Sequence, residues 1–173
     1  MIKTIDKDIL TVDKGVIVHS VNCIGGVGGL AGAIARKWPI NAEKYRAHVK
    51  CQTLPIMMLG SVFQVNVAHN VVVANLFGQN NVGTNERQTE YAALIAGFKY
   101  IALTYFQGND AREVDYGHPF GLVEEKIDLT DIYIPYKIGC GLGGANWNIV
   151  EEIIHKCFEK SINDVYICKH LGE

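Results

Sequence analysis

The sequence lacks several features that would assign it to a membrane, secreted or nucleic acid-binding class. Its 173 residues include no apolar stretch approaching the ~20 residues that a spanning helix needs, and they show no basic-then-apolar secretory leader. Lys and Arg (16) nearly balance Asp and Glu (18) and form no run. We therefore expect one domain over residues 1–173, with no membrane partner and no electrostatic footprint for nucleic acid.

Cysteine and histidine are present without the spacing that would give them a shared role. The five Cys are an odd number and include no CxxC pair, and the six His show no metal-ligand pattern. A disulfide framework and a metal site are therefore both disfavoured. We expect a reduced, cytoplasmic protein without a metal or other cofactor.

Short apolar runs rich in β-branched residues alternate with longer segments of helical period, which is typical of an α/β fold. Residues 16–21 and 71–77 are almost continuously apolar, as central strands covered on both faces are. Residues 85–106 are predicted to form one long helix. Residues 107–130 show no sustained period and are predicted to form a loop or a small excursion.

Two glycine-rich loops, each between a predicted strand and a predicted helix, are the main functional signal. The first glycine loop (residues 22–31) follows a strand and has four glycines, which with Gly32 make five within eight positions, and the second glycine loop (residues 138–144) has four. Backbone N–H groups in such loops can approach an anion closely, and a helix start adds partial positive charge. A phosphate or diphosphate held between the two loops is predicted, because ligands of α/β sheets bind beyond the carboxyl ends of the strands. The alternative is that the glycines only make tight turns.

A dinucleotide-binding unit is a second interpretation of the first glycine loop. Gly26, Gly28 and Ala31 fit the pattern G-x-G-x-x-A after a strand. Such a unit needs another strand soon after its helix, whereas residues 40–50 look helical. An oxidoreductase of this type therefore stays only as a weak alternative.

Both loops together resemble those of the macro domain family. Residues 22–34, NCIGGVGGLAGAI, are similar to its N-x-x-L-x-G-G-G-V-x-G-A-I motif, and residues 7–10, KDIL, to its G-D-I-L element. Residues 138–144, IGCGLGG, followed by Trp147, resemble the family's other phosphate loop in its ADP-ribose 1''-phosphate phosphatase-like and phage-type branches. Residues 75–79, NLFGQ, and Tyr91 are similar to the strand and helix between the loops in that branch. The resemblance spans roughly residues 7–158.

This resemblance implies a three-layer α/β/α domain with a central mixed sheet and a cleft for ADP-ribose or a derivative. The diphosphate would take N–H groups from both loops, and Asn22 would bind the distal ribose. Asp8 would accept from the adenine amino group, or it is only a turn or cap residue. The residues implied in ligand binding are Asp8, Ile9, Asn22, Val27, Gly28, Gly29, Leu30, Gly32, Ala33, Ile138, Gly139, Cys140, Gly141, Leu142 and Gly143.

The acids of the family's ester-cleaving branches are absent. Ala31 stands where one branch carries an Asp, Gly143 stands where a second branch carries one, and the second branch's Lys has no equivalent near Gln79. Removal of ADP-ribose from proteins is therefore disfavoured.

Two functions remain for the resemblance. The first is dephosphorylation of ADP-ribose 1''-phosphate, with Asn22 and His19 as the catalytic candidates, although a lone His in an apolar strand is more often structural. Cys23 and Cys140 flank the loops, and we interpret them as small buried residues rather than nucleophiles. The second function is a binding module without turnover, which holds ADP-ribose, a cyclic or NAD-derived nucleotide, or ADP-ribosylated macromolecules.

Overall fold

The structure, a computed structural model, describes residues 1–106 and 131–170. The strands are β1 (Ile2–Asp6), β2 (Gly15–Asn22), β3 (Val62–Ala68), β4 (Val71–Gln79), β5 (Ile132–Pro135) and β6 (Val165–Lys169). The helices are α1 (Gly29–Lys37), α2 (Pro39–Lys50), α3 (Tyr91–Phe106) and α4 (Trp147–Phe158), with short 3-10 turns at Ile9–Thr11 and Pro55–Met58. The loop predicted over residues 107–130 lies outside the described residues.

The six described strands form one mixed sheet in the order β1-β6-β5-β2-β4-β3. All neighbours are parallel except β3, which pairs antiparallel with β4. The predicted central strands are confirmed: every residue of β4 up to Gly78 is buried, as are all residues of β2 except Ser20. The dinucleotide-binding alternative fails on this order. The strand that follows α1 and α2 is the antiparallel edge strand β3, which does not lie beside β2.

Helices cover both faces of the sheet. Successive residues of a strand point to opposite faces, and the central strands carry apolar residues on both, so both faces must be covered. On one face Val16 and Val18 pack with residues of α3 and α4 around Leu94, Phe98 and Ile154. On the other face the core includes Ile17 of β2 and Ile34 of α1. Nearer the loops it includes Tyr45 of α2. The predicted three-layer α/β/α architecture is therefore confirmed.

Two elements differ from the prediction. Helix α3 begins at Tyr91 rather than at residue 85, because residues 88–90 are hydrogen-bonded to other parts of the chain. The N–H groups of Gln88 and Thr89 donate to the carbonyl of Gly143 (both 3.0 Å), and that of Glu90 donates to Gly78 (2.9 Å). Strand β1 was not predicted, since only its two isoleucines are apolar and the other three residues are exposed.

Candidate functional site

The predicted binding residues lie at one edge of the sheet. Strands β1, β6, β5, β2 and β4 are mutually parallel, so their carboxyl ends lie side by side. Asp8 follows β1, the first glycine loop follows β2, and the second glycine loop follows β5. The topology therefore places both loops and Asp8 at this edge, where ligands of α/β sheets bind. The surface between the two loops and Asp8 is called the groove.

Asn22 organises the first glycine loop. Its Nδ2 donates to the carbonyl of Gly26 (2.8 Å), while its Oδ1 accepts from the N–H groups of Gly26 (2.9 Å) and Ile24 (3.2 Å). The hydroxyl of Tyr45 donates to the Asn22 carbonyl (2.5 Å) and lies 3.1 Å from Oδ1. An amide oxygen accepts two bonds readily and its nitrogen donates two. The second Nδ2–H is thus the donor left for a ligand, and the predicted ribose contact stays a prediction.

The loop ends at the N-terminus of α1, which is open to an anion. Its N-cap is Gly28, and no side chain caps the helix. The N–H groups of Gly29, Leu30 and Ala31 begin the helix and have no intrahelical acceptor. Gly29 has a φ of 50°, and nothing lies within 4 Å of the position of a Cβ there. A helix start with this geometry attracts negative charge.

The second glycine loop is held by the chain segment before α3. Thr89 is fully buried, its Oγ1 donates to the Gly139 carbonyl (2.8 Å), and its N–H donates to the Gly143 carbonyl (3.0 Å). Gly139 has a φ of 73°, and its carbonyl also accepts from the Ala145 N–H (3.1 Å). The carbonyls of Gly139 and Gly143 are therefore occupied. Within the described part of the chain, no hydrogen bond uses the N–H groups of Gly139, Gly141, Leu142 or Gly143.

The geometry narrows the predicted set of N–H donors. The N–H groups of Gly32 and Ala33 belong to α1, and that of Gly32 donates to the Gly28 carbonyl (3.3 Å). In the second loop, the N–H groups of Ile138 and Cys140 donate to Pro135 (3.1 Å) and Lys137 (2.9 Å). The N–H groups of these four residues belong to the internal structure of the helix and the loop. The donors that remain for a ligand are those at the start of α1, at Gly139, and in residues 141–143.

The two loops meet across the groove. A Cβ on Gly28 of the first loop would lie 3.5 Å from Cδ1 of Leu142 in the second. A Cβ on Gly26 would lie 3.2 Å from Cγ1 of Val82, which belongs to the segment after β4. Neither loop contains a Lys or Arg. An anion between them would therefore be bound by backbone dipoles rather than by basic side chains.

Gly143 leaves no room for the carboxylate of the ester-cleaving branch. A Cβ on it would lie 2.5 Å from Nε2 of Gln79 and from the Gly139 carbonyl oxygen, and closer still to Oγ1 of Thr89. An Asp cannot occupy this space without displacing the backbone of the loop. Sequence reasoning missed Thr89, because the surrounding residues have helical character and its partners lie about fifty positions away.

His19 lies inside the protein rather than in the groove. It is 2% exposed, and its Nε2 is 2.8 Å from Oδ1 of Asn75, whose amide also bonds Asn41 on α2 (2.9 Å). Burial lowers the pKa of His19 to about 4, despite the bond to Asn75. A neutral His under α2 does not reach a ligand, so its predicted catalytic role has no geometric support.

The thiols beside the loops are protonated at neutral pH. Burial raises the pKa of Cys23 to about 11, and it also raises the pKa of Cys140. Thiolate nucleophiles have a lowered pKa. Cys23 is buried as predicted, whereas Cys140 is only half-buried, and neither has the lowered pKa of a nucleophile.

Asp8 caps the 3-10 turn with one carboxylate oxygen, and the other oxygen takes no part in the cap. Its Oδ1 accepts from the Leu10 N–H (2.9 Å) at the start of the 3-10 turn. Its Oδ2 lies 4.0 Å from Nε2 of His170, which follows β6. Ile9 is buried in the core, so its side chain does not line the groove. The adenine contact predicted for Asp8 requires Oδ2.

Within residues 1–106 and 131–170, no helix combines the length and the hydropathy that a membrane span requires. Nor do three or more His, Cys, Asp or Glu side chains in that part of the chain gather as metal ligands would.

Comparison with known proteins identifies the fold. No family model matches the chain. An uncharacterised 17.5 kDa protein of Enterobacteria phage T4, from the tk-vs intergenic region, is 29% identical over 140 residues, which cover 80% of this chain and 76% of that protein. The structure of a protein of unknown function from Bacteroides thetaiotaomicron matches with a TM-score of 0.74 and 28% identity, over 98% of both chains.

Several further matches are to named macrodomains. The macrodomain of Mycobacterium tuberculosis DarG has a TM-score of 0.73 and 20% identity, over 97% of both chains. Thermosipho africanus DarTG in complex with ADP-ribose has a TM-score of 0.73 and 18% identity, over 99% of this chain and 42% of that one. The chain therefore has the macrodomain fold.

Proposed function

We propose that this protein binds ADP-ribose or a close derivative, with the diphosphate between the two glycine loops. The observation that carries the proposal is the meeting of two backbone cradles, the uncapped start of α1 and the second loop, at Gly28 and Leu142. A diphosphate has enough acceptor oxygens to use both sets of N–H groups. Thermosipho africanus DarTG, which shares the fold, was solved with ADP-ribose.

The strand order suggests how the ligand lies along the groove. Asp8, after β1, would accept from the adenine amino group through Oδ2, and Asn22, after β2, would donate to the distal ribose. The strands between them, β6 and β5, are also neighbours in the sheet. Adenosine would therefore lie over the ends of β1 and β6, and the distal ribose over the ends of β2 and β4.

Binding without turnover is the function that the groove supports best. Ala31 and Gly143 provide no carboxylate, His19 is buried, and Cys23 is protonated. General acid–base catalysis requires a titrating group within hydrogen-bond reach of the reacting atoms. Phosphatase activity on ADP-ribose 1''-phosphate is the second candidate, and it rests on the resemblance of residues 138–144 to that branch of the family.

A negative charge introduced at Gly29 tests the anion site directly. Gly29→Asp and Gly29→Asn both tolerate a positive φ and have nearly the same shape, and the open space at this position admits either side chain. Only the Asp variant places a negative charge at the helix start. Calorimetry should show that Gly29→Asp binds ADP-ribose at least about tenfold more weakly than Gly29→Asn, since tenfold corresponds to ~1.4 kcal/mol.

The same protein samples separate the candidate functions. If the protein binds ADP-ribose but releases no phosphate from ADP-ribose 1''-phosphate, it is a binding module and the phosphatase function is excluded. If the unmodified protein releases phosphate and Asn22→Ala abolishes that release, the phosphatase function is supported instead. If the unmodified protein does not bind ADP-ribose, the proposed function is incorrect.

A further inference from the structure

Two ammonium groups approach one aromatic ring beside the second glycine loop. Lys137 follows β5 and places Nζ 5.1 Å from the centroid of the Tyr136 ring, and Lys169 ends β6 and places Nζ 4.6 Å from it. The ring packs edge-on against Trp147, with centroids 4.8 Å apart. The ring therefore holds both cations at the same edge of the sheet as the ligand groove.

Neither of these charges is neutralised by the described part of the chain. The ion pairs among residues 1–106 and 131–170 do not include Lys137 or Lys169. Asp6 lies beside Lys169 in the register of β1 and β6, but the ammonium of Lys169 is directed to Tyr136. Two like charges beside one ring repel each other. An anion near both would therefore be stabilised.

The backbone conformation of Lys137 is consistent with a ligand-binding role for its side chain. Lys137 has a φ of 56°, and it is the sole non-glycine residue of the described chain with a positive φ. Glycine adopts this conformation without a steric penalty. Strained positions of this kind concentrate at ligand sites. Its carbonyl accepts from the Cys140 N–H (2.9 Å), so the residue directly precedes the second glycine loop and is hydrogen-bonded to it.

The strand order places these lysines under one part of the proposed ligand. Strand β6 lies between β1, which precedes Asp8, and β5, which precedes the second loop. Neighbouring strands are about 4.8 Å apart. With adenine at Asp8 and the diphosphate at the loops, the end of β6 is next to the ribose of the adenosine half.

We propose that Lys137 and Lys169 bind a phosphate monoester carried by that ribose, so that the preferred ligand is a phosphorylated ADP-ribose such as ADP-ribose 2'-phosphate. This proposal rests on the proposed function, because the ligand orientation comes from it. Two ammonium groups suit a dianion, and each can donate charge-assisted hydrogen bonds to its oxygens. Free phosphate has the same chemistry, so the experiment must distinguish the two sources.

The test compares three ligands by calorimetry at low salt: ADP-ribose, ADP-ribose 2'-phosphate and inorganic phosphate. We expect the unmodified protein to bind the 2'-phosphate about tenfold more tightly than ADP-ribose, and the ratio to shrink as salt screens the charges. Lys137→Gln and Lys169→Gln should each bring this ratio close to one. Lys169→Arg should keep it, because the charge is retained.

Lys160→Gln is the matched control. Lys160 is exposed and lies between the end of α4 and the start of β6, which is the opposite end of that strand from Lys169, so its removal should leave the ratio unchanged. A ratio of one or less in the unmodified protein would overturn the phosphate subsite while ADP-ribose binding stands. A ratio that survives both Gln variants, or inorganic phosphate that binds as tightly as the nucleotide, would also overturn it. Failure of both nucleotides to bind would overturn the proposed function and the subsite with it.

Discussion

The second glycine loop depends on one position that only glycine can fill, and this gives a quantitative prediction. A Cβ on Gly143 would lie 2.5 Å from Nε2 of Gln79 and from the Gly139 carbonyl oxygen, and closer still to Oγ1 of Thr89. The side-chain atoms can move aside, but the Gly139 carbonyl is backbone and accepts two hydrogen bonds. We therefore expect Gly143→Ala to shift the loop.

The magnitude follows from the cost of overpacking, which is typically 1–3 kcal/mol. Because one of the clashing groups is backbone, we expect about 3 kcal/mol for Gly143→Ala. A kilocalorie shifts the Tm of a domain of this size by roughly 2–4 °C, so the Tm should fall by roughly 6–12 °C. ADP-ribose affinity should fall as well, because the N–H groups of the loop lose their alignment.

Gly141→Ala is the control in the same loop. Nothing lies within 4 Å of a Cβ at Gly141, and its φ is outside the left-handed region. This substitution should leave the Tm unchanged or raise it slightly, since alanine restricts the unfolded chain. Thermal unfolding followed by circular dichroism measures both variants.

A second variant separates the side-chain contacts from the backbone contact. Adding Thr89→Ala to Gly143→Ala removes the closest side-chain atom but not the Gly139 carbonyl, so the double variant should not regain the original Tm. Equal Tm values for Gly143→Ala and Gly141→Ala would refute the packing argument. Full recovery in the double variant would show that the clash with Gly139 is not the limiting one.

Three further outcomes are expected. Asn22→Ala should weaken ADP-ribose binding about tenfold or more, because the loop loses the side chain that binds Gly26; an unchanged affinity in calorimetry would remove Asn22 from the site. The folded state lowers the pKa of His19 from an ordinary 6.5 to about 4, so its neutral form contributes stability above pH 6.5 that is lost as the pH falls to 4. Urea unfolding should show this loss, ~3 kcal/mol, in the unmodified protein and not in His19→Gln; equal pH slopes would contradict it. Iodoacetamide at pH 8 should label exposed Cys51 quickly and Cys23, buried and with its pKa raised to about 11, hardly at all; rapid labelling of Cys23 in the folded protein, seen by mass spectrometry, would show that the thiol is accessible.

The central part of the fold could be predicted from the sequence because its signals are local. Strands β2 and β4 are almost continuous apolar runs, and α4 begins at Trp147 after its N-cap Asn146, whose Oδ1 accepts from the Asn148 N–H (3.0 Å). Both glycine loops were recognised from composition and from their position between a strand and a helix. These features depend on residues near one another in the chain.

Several features of the site depend on contacts between distant residues. Thr89 has helix-forming neighbours, but its bonds to Gly139 and Gly143 delay the start of α3 until Tyr91. The motif predicts that Asn22 binds the ligand, whereas its bonds within the loop and with Tyr45 could not be predicted. His19 was assigned a possible proton transfer because a sequence does not show which strand residues lie under a helix.

Glycine content and apolar runs are enough to predict an α/β domain with two glycine loops between strands and helices, because these patterns act through local backbone freedom and burial. The N–H groups that remain available, the exclusion of a carboxylate at Gly143, and the shared ring of Lys137 and Lys169 follow from the tertiary structure alone. Strand order and hydrogen bonds across about fifty residues set these properties, and no local pattern encodes them.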